Sequence, residues 1–411
     1  MWMSMTSRLQ GTRGLLHAGL LLCLLGTGCT SSAKGASGVR WAVTSNDGKQ
    51  ALINGVVSVA PTVKPDMLSL IDLGASPPKV AFEIAVPGSV QGPPLSVAIT
   101  PDETLALVTA PMKLDPMDPT KVTQDNRISV VDLTSSPPKV LSTVMGGSQP
   151  SGISISRDGK LALVANRNEG TVTVLTIAGQ TVTNVGTVSV ADQMKMPIPE
   201  SKVTAMVVIT PDGTQAITTN DGDSRMTLLK IDSTTTPPTV TRVRDFWAGV
   251  RPYSIDVAST GKFAFVGNNG NAQGDVDTVS LIDLEGPQPP HVVDTVSVGL
   301  TPEGVKVAPD ASYAVAVLEN GTNKAANFPF YGTEGKLALV KIDGKKLTKV
   351  AEAPIGRWCQ GAAFSSDSKT ILVGCMVEEE VWTFSWDGSK LTKTGAIKVN
   401  GGPAAIRTAE R

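Results

Sequence analysis

Histidine, the side chain that most often moves protons near neutral pH, occurs only as His17 and His291 in a chain of 411 residues. That excludes a Ser-His-Asp triad, a histidine-rich metal cluster and a bis-histidine haem site. The sequence also lacks C-x-x-C-H, G-x-S-x-G and phosphate-binding-loop motifs. Chemistry must then come from arginines, carboxylates and amides. The candidates are Arg167, Glu169, Asp221, Asp223, Arg225, Arg251, Tyr253, Glu303, Asn320, Arg357 and Gln360, with Glu378 beside them. A carboxylate next to an arginine can serve as a general base beside a group that holds a developing negative charge. The same mixture can bind a small anion, a sugar or a peptide. Asn220–Ser224 and Gly274–Asp277 offer carboxylate oxygens but miss the spacing of a calcium loop, so no metal and no cofactor is expected.

Four cysteines are present. Cys23 falls in an apolar N-terminal run and Cys29 just after it. Cys359 and Cys375 flank "CQGAAFSSDSKTILVGC", a hairpin pattern that places them opposite or one residue off. A disulfide suits an exported protein, and a pair of buried thiols is the alternative.

The elements that must position these residues are repeated. "SLIDLGASPPKV" (Ser69–Val80) returns as "SVVDLTSSPPKV" (Ser129–Val140), "LLKIDSTTTPPTV" (Leu228–Val240) and "SLIDLEGPQPPHV" (Ser280–Val292). Turn-like tetrapeptides recur seven times: Asn46–Lys49, Pro101–Thr104, Arg157–Lys160, Pro211–Thr214, Ser259–Lys262, Pro309–Ser312 and Ser366–Lys369. Their third residues are 55, 56, 54, 48, 50 and 57 positions apart, a period that signals a repeat architecture. Each unit alternates apolar and polar residues over four short runs rich in Val and Thr, which reads as a four-stranded antiparallel meander, A to D. The expected fold is all-β: a seven-bladed β-propeller of four-stranded antiparallel blades, since a ring hides the edges that a flat array would expose. The blades are expected near 39–89, 90–148, 149–192, 202–249, 250–299, 300–356 and 357–411, with 401–411 resembling one more strand A that helps close the ring beside the N-terminal blade.

In such a blade the A–B and C–D turns share one face of the ring, and the B–C loops and D–A connectors share the other. The short, constant turns fall on the first face. The excursions 57–65, 110–126, 192–202, 268–277 and 319–335 fall on the second, together with all the candidate residues. Residues at the start of strand A and the end of strand B should lie nearest the channel mouth. Elaborated loops on a rigid scaffold are where binding resides.

"QPSGISISRDGKLALVANRNEGTVTVL" (Gln149–Leu175) and "RPYSIDVASTGKFAFVGNNG" (Arg251–Gly270) resemble the repeat of the YVTN-type, lactonase-like seven-bladed propellers. The likeness implies the fold, and with it a lactonase-type hydrolase whose first candidates are Arg167, Glu169, Arg251 and Arg357. Residues 1–28 read as an export signal, with Arg8 and Arg13 ahead of an apolar run. Cys29 follows as in a bacterial lipoprotein signal, which implies lipidation there, a tether over 29–38 and anchoring in the cell envelope; simple secretion is the alternative. With 36 Lys+Arg against 37 Asp+Glu, no nucleic-acid partner is expected. The leading expectation is a monomeric, envelope-anchored scaffold that binds a protein, peptide or glycan on the elaborated face. The lactonase-like hydrolase is the alternative, and a docking subunit of a periplasmic redox system is a third.

Overall fold

The computed structural model describes residues 40–191 and 204–411. The expected signal, the tether with Cys29 and the 192–202 excursion lie outside the described residues.

Among the described residues every regular element is a strand, and seven four-stranded antiparallel sheets form, with one extra two-stranded hairpin. Blade 1 contains β1 (Trp41–Asp47), β4 (Met67–Asp72) and β5 (Lys79–Ala85), with the hairpin of β2 (Gln50–Ile53) and β3 (Val56–Val59) inserted after β1. Blade 2 contains β6 (Val97–Ile99), β7 (Leu105–Leu114), β8 (Val122–Asp132) and β9 (Lys139–Met145). Blade 3 contains β10 (Pro150–Ile155), β11 (Leu161–Asn166), β12 (Thr171–Ala178) and β13 (Thr181–Ser189). Blade 4 contains β14 (Met206–Ile209), β15 (Gln215–Asn220), β16 (Arg225–Asp232) and β17 (Thr239–Phe246). Blade 5 contains β18 (Pro252–Val257), β19 (Phe263–Asn268), β20 (Asp277–Asp283) and β21 (His291–Gly299). Blade 6 contains β22 (Pro302–Val307), β23 (Tyr313–Leu318), β24 (Gly335–Asp343) and β25 (Lys346–Ile355). Blade 7 contains β26 (Cys359–Phe364), β27 (Thr370–Cys375), β28 (Glu380–Trp386) and β29 (Leu391–Lys398). The last strand, β30 (Gly402–Thr408), pairs with β1, not with β29, and is the innermost strand of blade 1.

Two sequence expectations change here. Residues 402–408, counted by range with the seventh blade, belong to the sheet of the first. As a result β1 is strand B of its blade, and Asn46–Lys49 is no A–B turn; it opens the B–C excursion on the opposite face. Asn46 shows the equivalence. Its Nδ2 donates to Ser69 Oγ at 2.7 Å, as Asn166 donates to Thr171 and Thr173, Asn220 to Thr227, and Asn268 to Thr278 and Ser280. Each of these asparagines ends a strand B and ties it to strand C of the same blade.

The six genuine A–B turns share one local device in four cases. A Ser or Thr directly follows strand A and donates to an Asp two residues on: Thr100 to Asp102, Ser156 to Asp158, Thr210 to Asp212, Ser365 to Asp367. That Asp accepts the backbone N–H two residues further, at Thr104, Lys160, Thr214 and Lys369. The residue between takes a left-handed conformation, which Gly159, Gly213 and Gly261 adopt freely. In the C–D phrase the aspartates that end strand C accept from the turn backbone, as Asp132 does from Thr134 and Asp232 from Thr234.

Seven apolar clusters fill the seven gaps between neighbouring blades, including the gap between blade 7 and blade 1. Cys359 and Cys375 are directly opposed on β26 and β27 and are joined by a disulfide. The innermost strands touch in ring order, β6, β10, β14, β18, β22, β26 and β30. The channel they enclose is filled at both ends. The D–A connector of blade 1 enters from the loop face, where Pro94 packs against Gly304 and Gly361 and Leu95 joins the cluster around Met206. Toward the turn face, Lys306 Nζ lies 3.1 Å from Asp256 and 2.7 Å from Glu410, which Arg407 also reaches at 3.2 Å.

A Cβ at position 304 would stand 2.3 Å from the Gln360 carbonyl oxygen and 3.1 Å from Pro94. Gly304→Val is expected to lower stability by about 1–3 kcal/mol in a denaturant melt, because the Gln360–Gly361 backbone must move and the Pro94 ring must give way. An unchanged midpoint would mean that the plug is not packed against blade 6.

Candidate functional site

Two positions per blade converge at the loop-face end of the channel. One is the second residue of strand A, occupied by Tyr253, Glu303 and Gln360. The other directly follows strand B and is occupied by Arg167, Asp221, Asn269 and Glu319. The sheet geometry turns these side chains toward the axis, and the connector that carries Pro94 lies beneath them. They form one buried polar cluster at the channel mouth, hereafter the cup.

The cup holds an unusual amount of buried charge. Arg167 is 4% exposed and lies over the Tyr253 ring, 5.5 Å from its centroid. Its Nη2 stands 3.3 Å from Asp221 Oδ2, and Arg251 Nη2 approaches the same oxygen at 3.7 Å. One buried carboxylate thus faces two guanidinium groups. Arg251 is set by its backbone, in the left-handed region, with its N–H donating to Ser224 Oγ at 3.0 Å. Across the mouth, Glu303 Oε2 accepts from Asn269 Nδ2 at 3.1 Å. Glu319 accepts from Asn323 and neighbours Gln360. Arg167 Nη1, Asp221 Oδ1 and Asn269 Oδ1 are buried without a hydrogen-bond partner. Buried polar atoms are rarely left so, and three in one cup mark a place for a polar ligand or water.

Burial pushes the Glu303 carboxyl up to about 7; the Asn269 hydrogen bond and the charges of Arg167 and Arg251 oppose the shift, and Asp221 adds to it. Burial, reinforced by the charge of Glu303, pushes the Glu319 carboxyl well above its ordinary value and so favours its neutral form. Burial and then Glu303 also raise the Tyr253 phenol, which stays a hydrogen-bond donor. Burial is the largest influence on Arg167 and works against its charge, but Asp221, Tyr253 and Glu303 together overcome it and hold the guanidinium as a cation.

The structure brings Arg167, Asp221, Arg251, Tyr253, Glu303 and Gln360 together and places the other candidates elsewhere. Glu169 accepts from Ser148 N–H at 2.7 Å and fastens the connector before β10. Asp223 pairs with Arg225, which also meets Asp245 at 2.9 Å on the outer side of blade 4. Asn320 donates to the Glu334 carbonyl at 3.0 Å and closes the base of the blade 6 excursion. Arg357 pairs with Glu378 at 3.1 Å and is half exposed. Sequence reasoning missed Asn269 and Glu319. Both stand immediately after strand B, so the rule that selected Arg167 and Asp221 finds them once it is applied to every blade. Among the described residues no cluster of His, Cys, Asp and Glu is placed to hold a metal ion.

No known family's sequence profile matches the chain, and no curated protein is detectably similar in sequence. Solved structures are similar in fold. A periplasmic gluconolactonase of Pseudomonas aeruginosa superposes with a TM-score of 0.66 at 16% identity, over 90% of this chain and 99% of the other. A proposed 6-phosphogluconolactonase of Bacteroides uniformis gives 0.69 at 15%, over 90% and 100%. A functionally unknown protein of Desulfotomaculum acetoxidans gives 0.64 at 15%, over 90% and 99%. At these identities the likeness establishes the seven-bladed propeller and no activity.

The electrostatics of the cup are open to a direct check. Carboxyl NMR titration of Glu303 is expected to give a midpoint near 7. Asp221→Asn removes a repelling charge and should move the midpoint down; Arg251→Gln removes an attracting one and should move it up. A midpoint in the usual carboxylate range, unmoved by either change, would show that the cup is open to bulk water.

Proposed function

We propose that the channel-mouth cup hydrolyses an unphosphorylated sugar lactone. The observation that carries this reading is one juxtaposition: a buried carboxyl poised near neutrality, Glu303, shares a mouth with Arg167, whose buried Nη1 has no partner. Lactone hydrolysis needs a base to take a proton from water and a cation to receive the charge on the carbonyl oxygen. Ionised Glu303 takes the proton as the water oxygen bonds to the carbonyl carbon. Arg167 Nη1 donates to the tetrahedral oxyanion. As the ring C–O bond breaks, protonated Glu303 returns its proton to the departing alkoxide, and a hydroxy acid results. Asn269 orients Glu303, and Tyr253 and Gln360 offer hydrogen bonds to the sugar hydroxyls.

Charge balance selects the substrate class. With Glu303 ionised, Arg167 and Arg251 are matched by Asp221 and Glu303, and burial disfavours a further charge on Glu319. A cup of zero net charge suits a neutral lactone and gives no surplus cation for a phosphate dianion. The lactonase names among the fold neighbours support the reaction class, and the match to the periplasmic gluconolactonase supports the unphosphorylated form.

A second reading, a scaffold for a protein, peptide or glycan partner, rests on a separate observation. Val56, Trp247, Val276 and Phe330 are exposed on excursions and connectors of the loop face. Envelope anchoring through Cys29 belongs to either reading and rests on the N-terminal sequence. Palmitate labelling of cells should be lost in Cys29→Ser; labelling that persists would remove the anchor.

Hydrolysis of glucono-1,5-lactone above its spontaneous rate is the test. kcat/KM should rise with pH and level off above about 7, because the base must be ionised. Glu303→Gln should lower kcat/KM by about 10²–10⁴-fold. Arg167→Met should lower it by about 10²–10³-fold. A pH profile flat through neutrality, or full activity in Glu303→Gln, would assign the cup to binding alone.

A further inference from the structure

A second concavity lies outside the cup, between blades 1 and 2 on the loop face. Its volume is about 540 Å3, within the range of small-ligand sites. It exists because β7 and β8 run past their blade as a long hairpin, paired as far as Leu114 and Val122, and overhang the end of β5. Val63, Pro65, Val86 and Pro87 line it from blade 1, and Leu114 lines it from the overhang. The lining is mostly apolar, with cations along the rim.

Those cations are not equivalent. Lys49 is buried and held by Asp66 at 2.9 Å and Asp47 at 3.4 Å. Lys64 is paired with Glu379 at 2.6 Å, and Arg127 with Asp125 at 2.6 Å. Lys113 is half-buried at the same wall and has no ion pair or side-chain hydrogen bond with any described residue. Lys113 is thus the one lining cation without a carboxylate partner, above a largely apolar lining, while Lys49 faces two carboxylates, one of which, Asp66, also lines the wall. That pattern complements a ligand with one negative charge and one hydrocarbon arm.

We propose that this groove binds a small amphiphilic monoanion, with an aliphatic carboxylate as its simplest form. The carboxylate rests on Lys113, and the chain lies along Val63, Val86, Pro87 and Leu114. The site is separate from the cup, shares no residue with it and does not depend on lactone chemistry.

Calorimetric titration of the purified protein with decanoate tests the assignment. Saturable one-to-one binding is expected. Lys113→Met should weaken it about tenfold, the effect of losing one charge-assisted hydrogen bond. Lys113→Arg should retain it, and Leu114→Glu should abolish it. Decanol, which keeps the arm and lacks the charge, should bind about tenfold more weakly than decanoate. Arg167→Met should bind decanoate as the parent does. Binding that never saturates, equal affinity for decanol and decanoate, or equal affinity in Lys113→Met would overturn the proposal. A short Ala-Leu-Glu peptide that outcompetes decanoate would also overturn it and give the groove to extended peptides.

Discussion

The pairing of β30 with β1 is the constraint on which the rest of the structure depends. A four-stranded sheet with an apolar face has no stable place alone, and seven in a row still leave two faces bare. Here the last described strand becomes the innermost strand of the first sheet, so the two ends of the ring are held in one hydrogen-bonded ladder and the final gap closes around Ala42, Ile71, Ala363 and Ile406. The same strand delivers Arg407 to the channel, and Glu410 follows it to meet Lys306. Once the ring is closed, the seven innermost strands can move neither apart nor together. The two ring positions that end on the loop face are then fixed without any contribution from the long loops.

That rigidity explains how the cup keeps charges that water would otherwise claim. Ionised groups out of water shift their equilibria or find partners, and the cup does both. Asp221 serves two arginines, Tyr253 underlies Arg167, and the two glutamic acids are pushed toward their neutral forms. Pro94 and Leu95 pack into the channel beside these groups, against Gly304, Gly361 and the cluster around Met206. A carboxyl that changes state near neutral pH is the result of packing: the fold supplies the low-dielectric wall and the sequence supplies the groups.

Much of this is legible in the sequence because the blade grammar is local. The Asp-containing turns and the Asp-to-Pro phrase are set by side chains that bond their own backbone, and they repeat wherever the turn repeats. Closure is different. Asn46–Asp47–Gly48–Lys49 spells an A–B turn but lies at the end of a strand B, because strand A of that blade lies some 360 residues away at 402–408; the segment reads as one more strand A, but its pairing with β1 is recorded in no local pattern. The site shows the same division. Arg167, Asp221, Tyr253 and Glu303 follow from position within the repeat. Arg357, Glu378, Asp223 and Arg225 look equivalent as residue types, but ion pairs on the outer rim absorb them. The plug at Gly92–Leu95 carries no signal beyond a pair of prolines in a connector, since its meaning lies in glycines of two distant blades.

The most direct measurement of the central claim is a crystal structure of the protein with gluconate, the product of the proposed reaction. The account predicts the sugar acid in the cup, with its carboxylate on Arg167 Nη1 and Glu303 against the same carbon. Gluconate seated on another surface, or a cup that stays closed to it at saturating concentration, would contradict the claim that the buried charges of the channel mouth form a ligand site.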